Sequence, residues 1–234
     1  MPVHIHPTSP LAPRALLPGD PGRALALAQL VLSEPKMFNH NRGLWGYTGT
    51  AADGEPLTIQ STGMGGPSAA IVMEELCDLG LQRAIRVGTC GALAGDLSLG
   101  DLIVADVALA GDGTSRALGA GERVAADGGL VAALRDAAGD GARTGAVATT
   151  DLFYDRDPRR VAGWAGAGVL AIEMEAATLL RVAELRGVRA ACVLLVSDVV
   201  ENAVRRRLEP DALALAAERL GTVGAVALAQ PATT

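Results

Sequence analysis

The hexapeptide Arg86-Val87-Gly88-Thr89-Cys90-Gly91 places a guanidinium, a hydroxyl and two glycines directly after the apolar run 81–85. An arginine at the end of a buried strand is costly unless an anion meets it. Gly88 and Gly91 leave backbone N–H groups approachable, with no Cβ in the way. The segment reads either as half of an oxyanion or phosphate cradle or as a tight turn carrying a surface arginine. Gly19-Asp20-Pro21-Gly22-Arg23 offers a second such cluster, between the short apolar stretch 14–17 and a helical stretch 24–32. That order brings backbone donors and the positive end of a helix dipole to a ligand, although Pro-Gly-Asp-Pro-Gly is also a plain turn signal. Carboxylates follow at Glu173, Glu175 and Asp198, each at the end of an apolar run. The chain has only two Phe and two Tyr, and Phe153-Tyr154 places one of each in a single loop, which suits stacking on a flat ligand.

Composition narrows the chemistry. The 234-residue chain carries a formal net charge of −6, which disfavours a role in coating nucleic acid. Lys36 is the only lysine among 20 Lys and Arg residues, so an arginine here is ordinarily a surface charge unless it sits at a strand end or beside glycines. All three histidines (His4, His6 and His40) precede residue 41, which excludes the Ser…Asp…His order of α/β-hydrolases; neither GxSxG nor HExxH occurs. Cys77, Cys90 and Cys192 are far apart with no CxxC pair, pointing to a reducing compartment and no thiolate metal site. No secretory h-region and no unbroken apolar run of bilayer length is visible, so the expectation is a cytoplasmic protein without a membrane partner.

The elements that must position these groups alternate between strand and helix. Strands are expected at 14–17, 57–61 (closing a hairpin begun near Asn39), 81–85, 100–109, 145–149, 169–172 and 188–196. Helices are expected at 24–32, from Pro67 to 79, at 130–138, 158–165 and 174–185, and at 212–229, with 111–129 a surface excursion and Arg205-Arg206-Arg207 in a loop. Several strands are apolar on both faces. The fold class is therefore α/β: a single domain over 1–234 with a central, mostly parallel mixed β-sheet flanked by helices on both sides. The polar groups fall just past the C-terminal ends of strands, where open α/β sheets bind ligands.

In this order, Gly19-Asp20-Pro21 with Arg23, Arg42-Gly43, Gly63-Met64-Gly65, Arg86 to Gly91, Asp151-Leu152-Phe153-Tyr154, Glu173-Met174-Glu175-Ala176 and Ser197-Asp198 resemble the bacterial nucleoside phosphorylases of the hexameric type, from about His4 to Asp198. The resemblance implies phosphorolysis of purine nucleosides, with inorganic phosphate as co-substrate and no cofactor or metal. It assigns phosphate to Gly19, Arg23, Arg86 and Thr89, joined by Arg42 from a neighbouring subunit. Met64 and Met174 would pack the ribose and Glu175 would hold its hydroxyls, with Glu173 and Ser197 beside them; Glu173 is also suited simply to cap a helix or pair with an arginine. His4 from the neighbour would meet the 5′-hydroxyl, with His6 as an alternative, Phe153 would stack on the base, and Asp198 would protonate N7 if burial raises its pKa from about 3.9. It further implies a homo-oligomer, a hexamer built as a trimer of dimers.

Three rivals share parts of this pattern. Uridine phosphorylase reads its base with a Gln and an Arg shortly after Phe-Tyr, whereas here Asp155-Arg156-Asp157-Pro158-Arg159 contains no Gln. A nucleosidase uses water and has no need of Arg23, Arg42 and Arg86 together, and a non-catalytic nucleoside-binding protein should lose the acid or the arginines. The likeness weakens after Asp198. The family's arginine that pairs with the aspartate has no aligned counterpart, leaving Arg205, Arg206, Arg207 or none of them for that role.

Overall fold

Asp20 and Pro21 set the first strand-to-helix turn in this computed structural model, which describes residues 2–201 and 204–231. Strand β1 (Arg14–Leu17) bends at Pro18-Gly19, the Asp20 side chain accepts the Arg23 N–H at 2.7 Å, and Pro21 fixes φ as α1 (Pro21–Val31) begins. Next come β2 (Ser33–Asn39), a 3-10 turn (Asn41–Gly43), β3 (Gly46–Thr50) and β4 (Pro56–Gln60). The expected hairpin is β3–β4, and β2 is an additional edge strand whose polar start, Ser-Glu-Pro-Lys, hid it from sequence patterning. Helix α2 (Gly66–Asp78) leads to β5 (Arg83–Ala92) and β6 (Leu102–Ala110). The stretch expected as a bare excursion contains α3 (Gly113–Ala117) and β7 (Arg123–Ala125), followed by α4 (Gly128–Ala138). The chain continues through β8 (Ala142–Thr149), α5 (Pro158–Gly166), β9 (Ala171–Glu173), α6 (Ala176–Arg186), β10 (Arg189–Glu201), β11 (Val204–Arg207) and α7 (Pro210–Ala229).

The strands form one mixed 11-stranded sheet, parallel through β4-β1-β5-β10 and through β6-β8-β9, and antiparallel at its flanks and at the β10–β6 and β5–β9 junctions. Because β5 pairs with both β9 and β10, strands β10-β6-β8-β9-β5 close on themselves, and β1-β4-β3-β2 extend from this ring. One buried layer lies under α2 and α6 and includes Phe38, Met73, Leu76 and Leu180; the other lies under α1, α4 and α7 and includes Leu27, Leu134, Leu220 and Leu228. Helix α7, with 20 residues, is long and apolar enough to match a membrane span by length and composition, although Asp211, Glu218 and Arg219 interrupt its apolar run. Its buried face, including Leu220, Val223, Ala227 and Leu228, packs on α1, α4, β5 and β10, so its apolar composition serves the core.

Two segments that the sequence leaves as a strand-end cradle or turn and as a loop are strand instead. The segment from Arg86 to Gly91 lies inside β5, paired with β10 in register from Cys192 to Val196 and then, past a register shift at Ser197, with Asp198. Arg205 to Arg207 lie in β11, antiparallel to the end of β10, with Asp198 opposite Arg207 and Val200 opposite Arg205. The glycines of the hexapeptide suggested a break, but pairing with β10 along the whole segment overrides that local preference.

Candidate active site

The topology opens one edge of β5 where the site lies. Strand β1 stops at Leu17, opposite Arg86, and β9 joins only at Gly91, so residues 87–90 are paired on the β10 side alone. A cavity of about 410 Å³ occupies this gap, lined by Gly19, Arg23, Met64, Arg86, Thr89, Phe153, Glu173, Met174, Glu175, Ser197 and Asp198 among others. All expected site residues except His4 and Arg42 therefore meet in one cavity. These two lie elsewhere in their own chain.

Arg86 is the centre of the site's charge. Its Nε donates to Glu173 Oε2 at 2.9 Å and its Nη2 meets Glu175 Oε2 at 2.5 Å, while Nη1 is buried with no hydrogen-bond partner among the described residues. Burial works against the charged guanidinium, but Glu175 and Glu173 more than offset this and raise its pKa. The anion that an arginine in a buried strand requires is thus supplied first by the chain's own carboxylates. Gly88 makes room for this arrangement: a Cβ there would lie 2.6 Å from Arg86 Nη2.

The two glutamates are held in different ways. Glu173, at the end of β9, accepts Thr149 Oγ1 at 2.6 Å and the N–H groups of Glu175 and Ala176 at 2.9 Å, so it caps α6 while gripping Arg86. Both of the alternatives that the sequence offered for Glu173, helix cap and arginine partner, are realised at once. Glu175 Oε1 accepts the Gly65 N–H at 2.5 Å, a donor aimed by Gly65's φ of 85°, which only glycine adopts readily. Burial pushes the Glu175 carboxyl upward and Arg86 pulls against it.

Arg23 reaches the same cavity from α1 and makes no ion pair among the described residues. Burial lowers its pKa, Asp20 opposes this, and the like charge of Arg86 lowers it further. Two guanidiniums facing one cavity beside Gly19 and Thr89 form an electrostatically unfinished arrangement that an anion would complete.

The opposite end of the cavity holds Asp198. Asp198 is 6% exposed; its Oδ2 accepts Ser197 Oγ at 2.7 Å, and its Oδ1 accepts Arg205 Nε at 2.9 Å and pairs with Arg207 Nε at 2.8 Å. The choice that sequence left open thus falls on both Arg205 and Arg207, which strand alternation places on one face of β11 with Arg206 on the other. Arg205 also lies over the Phe153 ring, its Cζ 4.7 Å from the centroid, and Phe153 meets Tyr154 edge-on. Sequence reading did not single out Cys90, Thr150 or Ile172, which complete the wall. Cys90 lies inside the opening hexapeptide as a buried thiol, and Thr150 and Ile172 adjoin recognised motifs; none carries a chemical signal of its own.

The chain is similar to known proteins in both sequence and fold. A profile of the Phosphorylase superfamily matches residues 13–229. A purine nucleoside phosphorylase of DeoD type from Geobacillus kaustophilus (strain HTA426) is 41% identical over 205 residues, covering 85% of this chain and 86% of the relative. A guanosine phosphorylase from Halorubrum lacusprofundi is 39% identical over 186 residues, covering 78% of this chain and 76% of its own length. Among solved structures, uridine phosphorylase from Vibrio fischeri ES114 complexed with 6-hydroxy-1-naphthoic acid superposes with a TM-score of 0.81 at 27% identity, covering 93% of this chain and 90% of that one.

Proposed function

The chain belongs to the phosphorylase superfamily, and we propose from that premise that it catalyses phosphorolysis of purine ribonucleosides and deoxyribonucleosides. The products are the free base and (deoxy)ribose 1-phosphate, a reaction of purine salvage. The observation that carries the phosphate half is the convergence of Arg23 and Arg86 on one cavity, with Arg86 Nη1 buried and unpartnered there. Purine is supported by relatives named as purine nucleoside and guanosine phosphorylases, at 41% and 39% identity.

In this reading Gly19, Arg23, Arg86 and Thr89 bind inorganic phosphate, and charge-assisted hydrogen bonds contribute about 1.5–3 kcal/mol each. Held below the sugar, a phosphate oxygen attacks C1′ as the bond to the purine nitrogen breaks. The sugar passes through an oxocarbenium-like state, which the phosphate and Glu175 stabilise by opposing its positive charge. Met64 and Met174 pack the ribose, Glu175 accepts from its hydroxyls, and Glu173 holds Arg86 and the start of α6 in place. The purine stacks on Phe153 and takes a proton at N7 from Asp198. The guanidiniums of Arg205 and Arg207 then stabilise the carboxylate left behind, in the contacts they make with Asp198 here. No cofactor takes part.

Two further residues complete the site from a second copy. His4 and Arg42 do not line their own chain's cavity, which supports their action in a neighbour's: Arg42 on phosphate and His4 on the 5′-hydroxyl. A dimer is then the smallest active unit, and a cytoplasmic homohexamer the assembly proposed.

Release of free base from inosine, adenosine and uridine, with and without phosphate, tests the proposal. Phosphate-dependent release from either purine nucleoside, with uridine much slower, is the expected result. Release without phosphate would identify a nucleosidase, uridine as the better substrate would move the assignment to pyrimidines, and no release would leave a binding protein.

A further inference from the structure

Glu75 lies on α2, outside the cavity, yet its carboxylate gathers an entire peptide segment. It accepts the N–H groups of Val3 at 3.0 Å, His4 at 2.9 Å and Ile5 at 2.6 Å, and its Oε1 lies 2.7 Å from His4 Nδ1. Three consecutive backbone donors fix the path of the N-terminal segment, and the wholly buried Ile5 anchors its far end. The fourth contact does something the backbone bonds do not. A carboxylate can only accept, so Nδ1 must carry the proton, and Nε2 is left as the ring nitrogen for a ligand.

The same segment is tied to the turn that carries Arg42. Asn41 Nδ2 donates to the His4 carbonyl at 2.9 Å, and the buried Asn39 accepts the N–H groups of His6 at 2.9 Å and Asn41 at 3.3 Å while donating to the Leu44 carbonyl at 2.5 Å. Arg42 sits in the left-handed region at φ 56°, a conformation this bonding holds in place. His4 and Arg42, the two side chains absent from their own cavity, thus belong to one hydrogen-bonded block.

We propose that Glu75 is the positioning residue for His4, setting its ring orientation and proton placement so that the block joining His4 and Arg42 is presented ready-made to a second copy of this chain. The inference rests on the reading above in which His4 acts in the neighbour's cavity. A carboxylate serving only to pin the N-terminus would be served by its backbone donors alone; one that orients His4 changes how the enzyme treats the group His4 contacts.

The test compares kcat and KM for inosine and for 5′-deoxyinosine, which lacks the hydroxyl, in the wild type, His4→Ala, Glu75→Gln, Glu75→Ala and the double variant His4→Ala/Glu75→Gln. Thermal melting is recorded for each. Expected is a loss of about tenfold or more in kcat/KM on inosine for Glu75→Gln, carried by KM, little loss on 5′-deoxyinosine, and a double variant no worse than His4→Ala. Glu75→Ala, which removes every acceptor, should discriminate at least as strongly. If His4→Ala discriminates the two substrates but neither Glu75 variant does, or if the Glu75 variants lose activity equally on both, the positioning role is overturned while the reading of His4 stands. If His4→Ala itself leaves the discrimination unchanged, the reading of His4 fails and the inference falls with it.

Discussion

Arg86 and Glu173 form a buried ion pair, Nε to Oε2 at 2.9 Å, immediately before the stretch of β5 whose second edge is open. Glu175 closes on the same guanidinium, so two carboxylates share one cation, and each lies at the start of α6. Cavity wall and helix start are built from the same carboxylates.

Removing the cation should therefore cost stability as well as activity. Arg86→Gln leaves Glu173 and Glu175 buried together without a counter-ion, and breaking buried pairs in this way typically costs about 3–5 kcal/mol. Thermal and urea melts at fixed protein concentration check this, and Arg86→Gln/Glu175→Gln should recover part of the loss. A melt indistinguishable from wild type would show that the pair does not hold α6.

Arg23 should behave differently, because no carboxylate depends on it in the same way. Arg23→Ala is expected to raise KM for phosphate about tenfold to a hundredfold, the loss of one charge-assisted contact, with little change in melting. Steady-state kinetics with phosphate as the varied substrate decides it; an unchanged phosphate KM would remove Arg23 from the phosphate site.

Asp198→Asn keeps the shape of the side chain and removes the acid. Loss of general-acid catalysis is worth about 10²–10⁴-fold on inosine or adenosine. A nucleoside whose base is already cationic, such as 7-methylguanosine, needs no proton at N7 and should lose far less. Equal losses on both kinds of substrate would mean that Asp198 positions the base without protonating it.

Arg205 rests on the Phe153 face that a purine would use. Arg205→Ala should lower nucleoside KM by about two- to fivefold, matching a displaced cation–π contact of about 0.5–1 kcal/mol, while Arg207 keeps Asp198 paired. A raised KM would instead make Arg205 a direct contact of the bound base.

Glu75 gives a pH signature. Burial alone would raise its carboxyl, but hydrogen bonds from His4, Ile5 and Val3 prevail and hold it at about 2, below the ordinary 4.5. A depressed folded-state pKa stabilises fully above 4.5 and loses its contribution as pH falls towards 2. Melting temperature against pH should consequently fall less steeply in Glu75→Gln than in wild type within that window, and run parallel above it. Asp53, held low chiefly by its hydrogen bonds from Arg14, leaves a residual acid slope in both proteins.

The α/β alternation and the extents of most helices were legible in the sequence because each depends on local chemistry, apolar runs and Asp-Pro helix starts. The residues of the cavity were legible partly as polar groups past strand ends and partly through the resemblance of their motifs to a known family. Tertiary structure decided what local chemistry could not. Whether Arg86 to Gly91 is turn or strand depends on β10 pairing along it from about a hundred residues away. Which of three consecutive arginines meets Asp198 depends on β11 lying antiparallel to β10, since alternation then sends Arg205 and Arg207 to one face. The grip of Glu75 on His4 spans 71 residues and leaves no trace in spacing. Sequence carried the types of side chain that line the cavity; only the closing of the strands fixed which charges share a wall, because ion pairs and sheet register are set by contacts distant along the chain.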